Sequence, residues 1–423
     1  MDKIEISGGI PLNGNITISG AKNATLPLIA ATILTDEPVT LNNVPNLSDV
    51  HTLLKLLQLL GAEVDFDPSN HTLTICSKSI QNFEAPYDLV RKMRASVLVL
   101  GPLLARFKKA RVSLPGGCAI GVRPVDFHIT GLRNLGANIN IDEGYINASC
   151  SHNLIGSEIV FPKVSVTGTE NIIMAATLAE GQTKIINAAI EPEIVDLIEM
   201  LNSMGSEISY SNSREIIIKG KTSLHGTNHE IISDRIELGT YILTAGTVDE
   251  SELILTGKNI AKLTEDTIGL YHSIGMQIDF IDTNTIHVKR SSNLLHGIQI
   301  ETEPFPGFPT DLQAQLMVAM CKAGSESYIK ETIWENRFMH VPELLRMGAD
   351  ITLIGNTAHI KPIKNFKNAP VIATDLRASF SLVMAGLSAN GITTINRVYH
   401  IDRGYENVEL KLSKCNAKIK RIK

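Results

Sequence analysis

The chain has 423 residues, of which 43% are apolar and 20% charged. This excludes an intrinsically disordered protein and suggests two or three domains at about 150 residues each. Its 39 basic and 44 acidic residues leave a net charge of −5, which argues against a general nucleic-acid binder, since that needs a basic face. An anionic substrate would have to be held by local cations. The five cysteines, Cys76, Cys118, Cys150, Cys321 and Cys415, form no CxxC pair, so neither a zinc site nor a disulfide framework is expected. The first residues lack the basic start and apolar stretch of a signal peptide. The longest mainly apolar run, Ala95 to Ala105, is too short to span a bilayer. A cytoplasmic location is the expectation.

Read in chain order, one pattern returns six times. Leu60-Gly61-Ala62-Glu63-Val64 is followed by Leu135-Gly136-Ala137-Asn138-Ile139, Met204-Gly205-Ser206-Glu207-Ile208, Ile274-Gly275-Met276-Gln277-Ile278 and Met347-Gly348-Ala349-Asp350-Ile351. A degenerate sixth copy is Cys415-Asn416-Ala417-Lys418-Ile419. The second positions are 75, 69, 70, 73 and 68 residues apart. In each copy a helical stretch ends at a residue suited to a left-handed C-cap, and an alternating strand follows. Between copies an Ala-rich helix, a Gly turn and a short strand recur, as in Ala175–Gly181 leading to Lys184–Ile186. Six units of about 70 residues would fill the chain. They group naturally into two halves of about 210 residues each, an ordinary domain size, and a cleft between such halves is a usual place for a ligand.

Five segments break this grammar. In Ile18-Ser19-Gly20-Ala21-Lys22-Asn23-Ala24 a lysine follows a Gly turn and precedes a helix starting near Ala24. That is a natural phosphate cradle, although read alone a solvated surface lysine fits better. Arg94 lies in Arg91–Ser96, upstream of the loop Leu114–Asp126. That loop places Cys118 among three glycines and two prolines, followed by Arg123. A thiol on a kinked loop beside guanidinium groups is a candidate reactive cysteine, whereas the other four cysteines read as inert. Pro304–Gln315 delivers Asp311 to a helix start, with Thr310 a candidate N-cap; helix capping and a base fit it equally. Asp234-Arg235 and Asp375-Leu376-Arg377 open two further helices, where a capping Asp and an arginine on a solvated first turn are slightly favoured. Arg403 sits beside Gly404 in Tyr399–Glu406. Together Lys22, Arg94, Arg123, Arg377 and Arg403 offer cations for a compact polyanion, and Cys118 with a carboxylate would be available for proton transfer.

Ser19–Ala24, Leu114–Cys118, Phe308–Asp311, Glu335–His340, Ala373–Ser379 and His400–Glu406 resemble, in order and over the whole chain, the motifs of the enolpyruvyl transferase family, in particular its members acting on UDP-N-acetylglucosamine. The resemblance implies an α/β fold of the inside-out α/β barrel type: two domains of three repeated βαβαββ units each, six in all. One domain would span 22–232 and the other 1–21 plus 233–423, with the active site in the cleft between them. The implied reaction transfers the enolpyruvyl group of phosphoenolpyruvate to the 3′-hydroxyl of UDP-N-acetylglucosamine by addition and elimination, releasing phosphate, as the opening step of peptidoglycan synthesis.

Residue roles implied at matching positions are as follows. Cys118 is the proton donor and the site of a covalent adduct, including alkylation by fosfomycin. Asp311 accepts the sugar hydroxyl proton. Lys22, Arg123 and Arg403 contact phosphoenolpyruvate, with Arg94 and Arg377 beside them, and Asn23 lies near the tetrahedral carbon. Arg123, Pro124, Val125, Asp126 and Phe127, then Lys163, Val164, Ser165 and Val166, with Asp311 and Ile333, contact the UDP-sugar. Asp234 and Asp375 support the site. No cofactor and no metal are implied, and the substrates are the small-molecule partners expected of a monomer, with self-association left open. Ser48 stands where some members have lysine, and Thr167-Gly168 where others have Gly-Ala. The rivals are the shikimate-pathway enolpyruvyl transferase, a cysteine hydrolase using His128 or His340, and a non-catalytic repeat scaffold.

Overall fold

A computed structural model describes residues 2–91, 93–114, 125–211, 213–291, 294–334 and 336–423. The described residues form six four-stranded sheets. One shows the plan of all. Glu84–Ala85 runs parallel to Lys109–Ser113, with the helix Leu100–Phe107 between them. The helix Asp126–Asn134 then leads to the hairpin Asn138–Asp142 and Tyr145–Ser149, which adds antiparallel strands. A parallel neighbour requires a crossover while an antiparallel one needs only a turn, so the order is strand, helix, strand, helix, strand, strand. The same contiguous plan builds the sheets that start at Glu158–Val160 and at Gln299–Glu301.

The other three sheets borrow strands from distant sequence. Asn13–Thr17 pairs in parallel with Glu252–Thr256, and Asn228–Glu230 pairs in parallel with Val39–Asn42. Lys3–Ser7 lies between Ile392–Asn396 and Lys418–Ile422, where the other sheets place the last strand of their own hairpin. Six wholly contiguous copies therefore give way to three contiguous ones and three completed from elsewhere in the chain.

The chain divides into two compact units. Residues 20–114 and 125–232 form one, and residues 2–19 with Ser233–Lys423 the other. Each has its own apolar core. In the first, the helices Lys22–Ala31, Leu100–Phe107 and Val166–Ala176 are largely buried. In the second, every residue of Gln313–Cys321 and Ala378–Ser388 is buried, as is nearly all of Arg235–Thr247. Helices apolar on every side belong in an interior. Within each unit they pack on one another, and the strands turn one alternating face inward and the other to solvent. Buried hydroxyls on these helices are satisfied locally: Thr240, Thr244 and Thr247 donate to the carbonyls of Ile236, Thr240 and Leu243 at 2.7, 2.7 and 2.8 Å. The second helix of each repeat is amphipathic; Ser48–Leu60 buries Val50, Leu53, Leu54, Leu56, Leu57 and Leu60.

The recurring turn has one conformation throughout. Gly61, Gly136, Gly205, Gly275 and Gly348 have φ of 109, 93, 97, 89 and 84°, and Asn416 has 68°. Asn is among the few other residues that visit this region routinely. No helix of the described residues is long and apolar enough to cross a membrane.

Candidate active site

In the unit made of residues 2–19 and 233–423, the site is built around one carboxylate. Asp311 sits in the tight turn Thr310–Leu312 that leads into the central helix Gln313–Cys321. Its Oδ1 meets Arg337 Nη2 at 2.7 Å and its Oδ2 meets Arg377 Nε at 3.2 Å. Arg377 is 1% exposed, which corrects the arginine on a solvated first turn. It stands at the N-terminus of the central helix Ala378–Ser388, and folding that apolar helix inward takes the guanidinium with it. Arg377 Nη1 donates to Gly404 O at 3.3 Å and Nη2 lies 3.9 Å from Asp234 Oδ2. Burial alone lowers the Arg377 pKa, but Asp234 and Asp311 outweigh it and leave the group raised. Its Nη2 makes no hydrogen bond to a described residue, so donor capacity is left over.

Asp234 is the N-cap of its helix, whereas Asp375 lies two residues before the N-cap Arg377 and still accepts from the amides that open Ala378–Ser388. Asp234 Oδ1 accepts from Ile236 N at 2.8 Å and Glu237 N at 3.0 Å. Asp375 Oδ1 accepts from Arg377 N at 2.8 Å and Ala378 N at 2.9 Å. Thr310 is not an N-cap: Pro309 takes that position, and the Thr310 hydroxyl bonds Glu331 and Arg337 instead. Arg403 closes the turn Val398–Arg403 and is half-buried. The pKa of His400 is lowered by burial and by Arg403, with Asp375 opposing. Tyr405 backs Arg377, its ring centroid 5.4 Å from Cζ. The Tyr405 hydroxyl accepts from Gln315 Nε2 at 2.8 Å and, because Thr240 spends its own proton on Ile236 O, donates to Thr240 Oγ at 3.0 Å. Burial pushes its pKa up to about 12, so it stays a phenol. Ile333 is half-buried in the connection after the strand Ser327–Lys330.

In the unit made of residues 20–114 and 125–232, Lys22 opens the helix Lys22–Ala31 and pairs with Asp49 Oδ2 at 2.8 Å, the two side chains being 7% and 4% exposed. The solvated lysine is thus overturned. Gly20 is required just before it, since a Cβ there would lie 1.8 Å from Asn43 O. Asn23 is half-buried on the next position. A second group gathers at two helix starts. Val125 is buried and Asp126 exposed at the opening of Asp126–Asn134, and the Phe127 ring meets Phe161 at 6.1 Å. Lys163, Val164, Ser165 and Val166 lead into Val166–Ala176, where Ser165 Oγ caps by accepting from Gly168 N at 3.2 Å. His128 ties the two: Nε2 bonds Thr167 Oγ at 3.2 Å, while Nδ1 accepts from Asn171 Nδ2 at 2.9 Å. Burial, and then the charge of Arg94 at the start of the turn Arg94–Val99, push the His128 pKa down to about 3.

Cys118, Arg123 and Pro124 lie outside the described residues. Of the other cysteines, Cys321 and Cys415 are buried, which pushes their thiols up to about 12 and about 11; Cys76 and Cys150 are half-buried. Among the described residues no cluster of His, Cys, Asp and Glu could hold a metal ion. Sequence reasoning missed Asp49, Arg337, Glu331 and Tyr405. Arg337 and Tyr405 lay within quoted motifs, but their partners are supplied by the fold.

A family model described as EPSP synthase (3-phosphoshikimate 1-carboxyvinyltransferase) matches residues 6–412. The UDP-N-acetylglucosamine 1-carboxyvinyltransferase of Magnetococcus marinus is 53% identical over 422 residues, covering 100% of both chains. That of Dinoroseobacter shibae is 51% identical over 425 residues, again covering 100% of both. Among solved structures, the enolpyruvyl transferase NikO from Streptomyces tendae superposes with a TM-score of 0.90 at 22% identity, over 99% of this chain and 98% of that one. EPSP synthase from Acinetobacter baumannii gives 0.78 at 19% identity over 100% of each. These two likenesses establish the fold, the inside-out α/β arrangement of helices enclosed by sheets. From the length and identity of the matches to curated relatives, the chain belongs to the UDP-N-acetylglucosamine 1-carboxyvinyltransferase family, within the wider family that the EPSP synthase model describes.

Proposed function

We propose that this chain transfers the enolpyruvyl group of phosphoenolpyruvate to the 3′-hydroxyl of UDP-N-acetylglucosamine, releasing phosphate, at the opening of peptidoglycan synthesis in the cytoplasm. The observation that carries this reading is full-length identity of 50–53% to relatives bearing that enzyme's name. The geometry of Asp311, a partly exposed carboxylate gripped by two guanidinium groups, supports it.

In this reading residues 22–232 supply Lys22, Asn23, Arg94, the segments at 123–127 and 163–166, and the Cys118 thiol. Residues 1–21 and 233–423 supply Asp311, Ile333, Arg377 and Arg403, with Asp234 and Asp375 behind them. Cys118 protonates the methylene carbon of phosphoenolpyruvate, making C2 electrophilic. The sugar 3′-oxygen attacks C2 as Asp311 takes its proton, and a tetrahedral phospholactoyl intermediate results. Loss of a methyl proton and of phosphate regenerates the double bond as an enol ether. Fixed cations stabilise the phosphate and carboxylate charge at no reorganisation cost during the reaction. Arg377 holds Asp311 through Nε, while its Nη2 faces Asp234. In this reading no cofactor takes part, and the enzyme is a monomer with self-association open to it.

The test is phosphate release from phosphoenolpyruvate with each acceptor. Release dependent on UDP-N-acetylglucosamine is expected; release dependent on 3-phosphoshikimate instead would overturn the reading. Cys118→Ser should abolish turnover, while Cys118→Asp should retain it and escape fosfomycin.

A further inference from the structure

Glu331 is a buried carboxylate to which the resemblance gave no role. It follows the strand Ser327–Lys330 and is 2% exposed. Its backbone is pinned on both sides, with N donating to Asn356 O at 2.8 Å and O accepting from Asn356 Nδ2 at 2.9 Å. The side chain accepts four hydrogen bonds. Oε1 takes Thr302 Oγ at 2.9 Å, Ile333 N at 2.8 Å and Trp334 N at 3.0 Å, and Oε2 takes Thr310 Oγ at 2.8 Å. These donors come from three chain segments: the ends of the paired strands Gln299–Glu301 and Ser327–Lys330, and the turn that carries Asp311.

The direction of the bonds matters. A carboxylate can only accept, so both threonine hydroxyls spend their protons on it and present lone pairs elsewhere. Thr302 Oγ accepts from Thr332 N at 2.9 Å. Thr310 Oγ accepts from Arg337 Nη1 at 3.0 Å, and Arg337 Nη2 is the group that meets Asp311 Oδ1 at 2.7 Å. One anion therefore orients Thr310, through it Arg337, and through that Asp311. The same anion turns the backbone at Ile333.

We propose that Glu331 is a positioning residue for the acceptor substrate: it holds Asp311 and the turn at Ile333 in a fixed register, so that the hydroxyl to be deprotonated and the carboxylate that takes its proton meet. This rests on the function proposed above. Lys22, Arg123 and Arg403, the residues assigned to phosphoenolpyruvate, are not links in this relay, so Glu331 acts mainly on the acceptor and on the chemical step.

The experiment uses the full-length enzyme and Glu331→Gln. The isosteric amide must turn an N–H2 toward one of four donors, which loses at least one link. Because hydrogen bonds to charged groups carry the relay, kcat should fall about tenfold or more, with the KM for UDP-N-acetylglucosamine rising and that for phosphoenolpyruvate staying within about twofold. Equal rises in both KM values, or kinetics like the parent enzyme, would overturn the proposal. A parent enzyme that turns over no UDP-N-acetylglucosamine would instead overturn the function on which it rests. Should Glu331→Gln fail to fold, Thr310→Val removes the relay alone and should give the same split, with Thr310→Ser restoring it. Thr310→Val with unchanged kcat would again overturn the proposal.

Discussion

His128 carries a consequence for behaviour in acid. It is neutral in the fold because burial, and then Arg94, oppose its proton, and because Nδ1 is occupied by the Asn171 amide. In the unfolded chain the same ring takes a proton near pH 6.5. The unfolded state therefore binds more protons below that pH, and stability is lost as the pH falls from about 6.5 toward the folded value of about 3, by about 1.4 kcal/mol per pH unit. His340, fully buried and shifted down chiefly by burial, acts in the same direction. Urea denaturation between pH 6 and pH 4 should show a shallower loss of stability for His128→Gln than for the parent, by close to one proton in the slope; identical slopes would mean that His128 is charged in the fold. At this scale the sequence revealed which residue types gathered in odd segments, but not their state. Asp311 read equally as a cap or a base because its two arginines stand 26 and 66 positions away in sequence, and only folding brings them to it.

Among the elements, the helix-ending turn was the most legible feature, because its left-handed conformation admits few residue types. The turns differ in what surrounds them. At Gly136, with φ of 93°, a Cβ would meet nothing within 4 Å; at Gly61, with φ of 109°, it would lie 2.6 Å from Ser79 O. Gly136→Ala should cost about 1–2 kcal/mol from backbone conformation alone, and Gly61→Ala clearly more, as read by chemical denaturation. Equal costs would mean that the neighbours of Gly61 yield. The central helices were legible as apolar runs, and their full burial follows from having no polar face. Less legible was the completion of three sheets from distant sequence. The period is set by the helix, the turn and the strand after it, which remain contiguous, so exchanging a first strand, or in one sheet the last, leaves it unchanged.

At the scale of the whole molecule, the borrowed strands make the two units unequal. All three sheets of residues 20–232 use strands lying between Val39 and Glu230. Two sheets of the other unit need Lys3–Ser7 and Asn13–Thr17. A fragment of residues 20–232 should fold on its own, with cooperative unfolding and dispersed amide resonances. A fragment of residues 233–423 should not, unless a peptide of residues 1–19 is added. Cooperative folding of 233–423 alone would contradict this account. The arrangement also sets an order of events on the ribosome. Lys3–Ser7 is made long before its neighbours Ile392–Asn396 and Lys418–Ile422. At about 5–20 residues per second it waits tens of seconds without a partner. Its sequence suits the delay: Lys3 and Glu5 alternate with Ile4 and Ile6, and charges on one face discourage a nascent strand from pairing with its copies on neighbouring ribosomes.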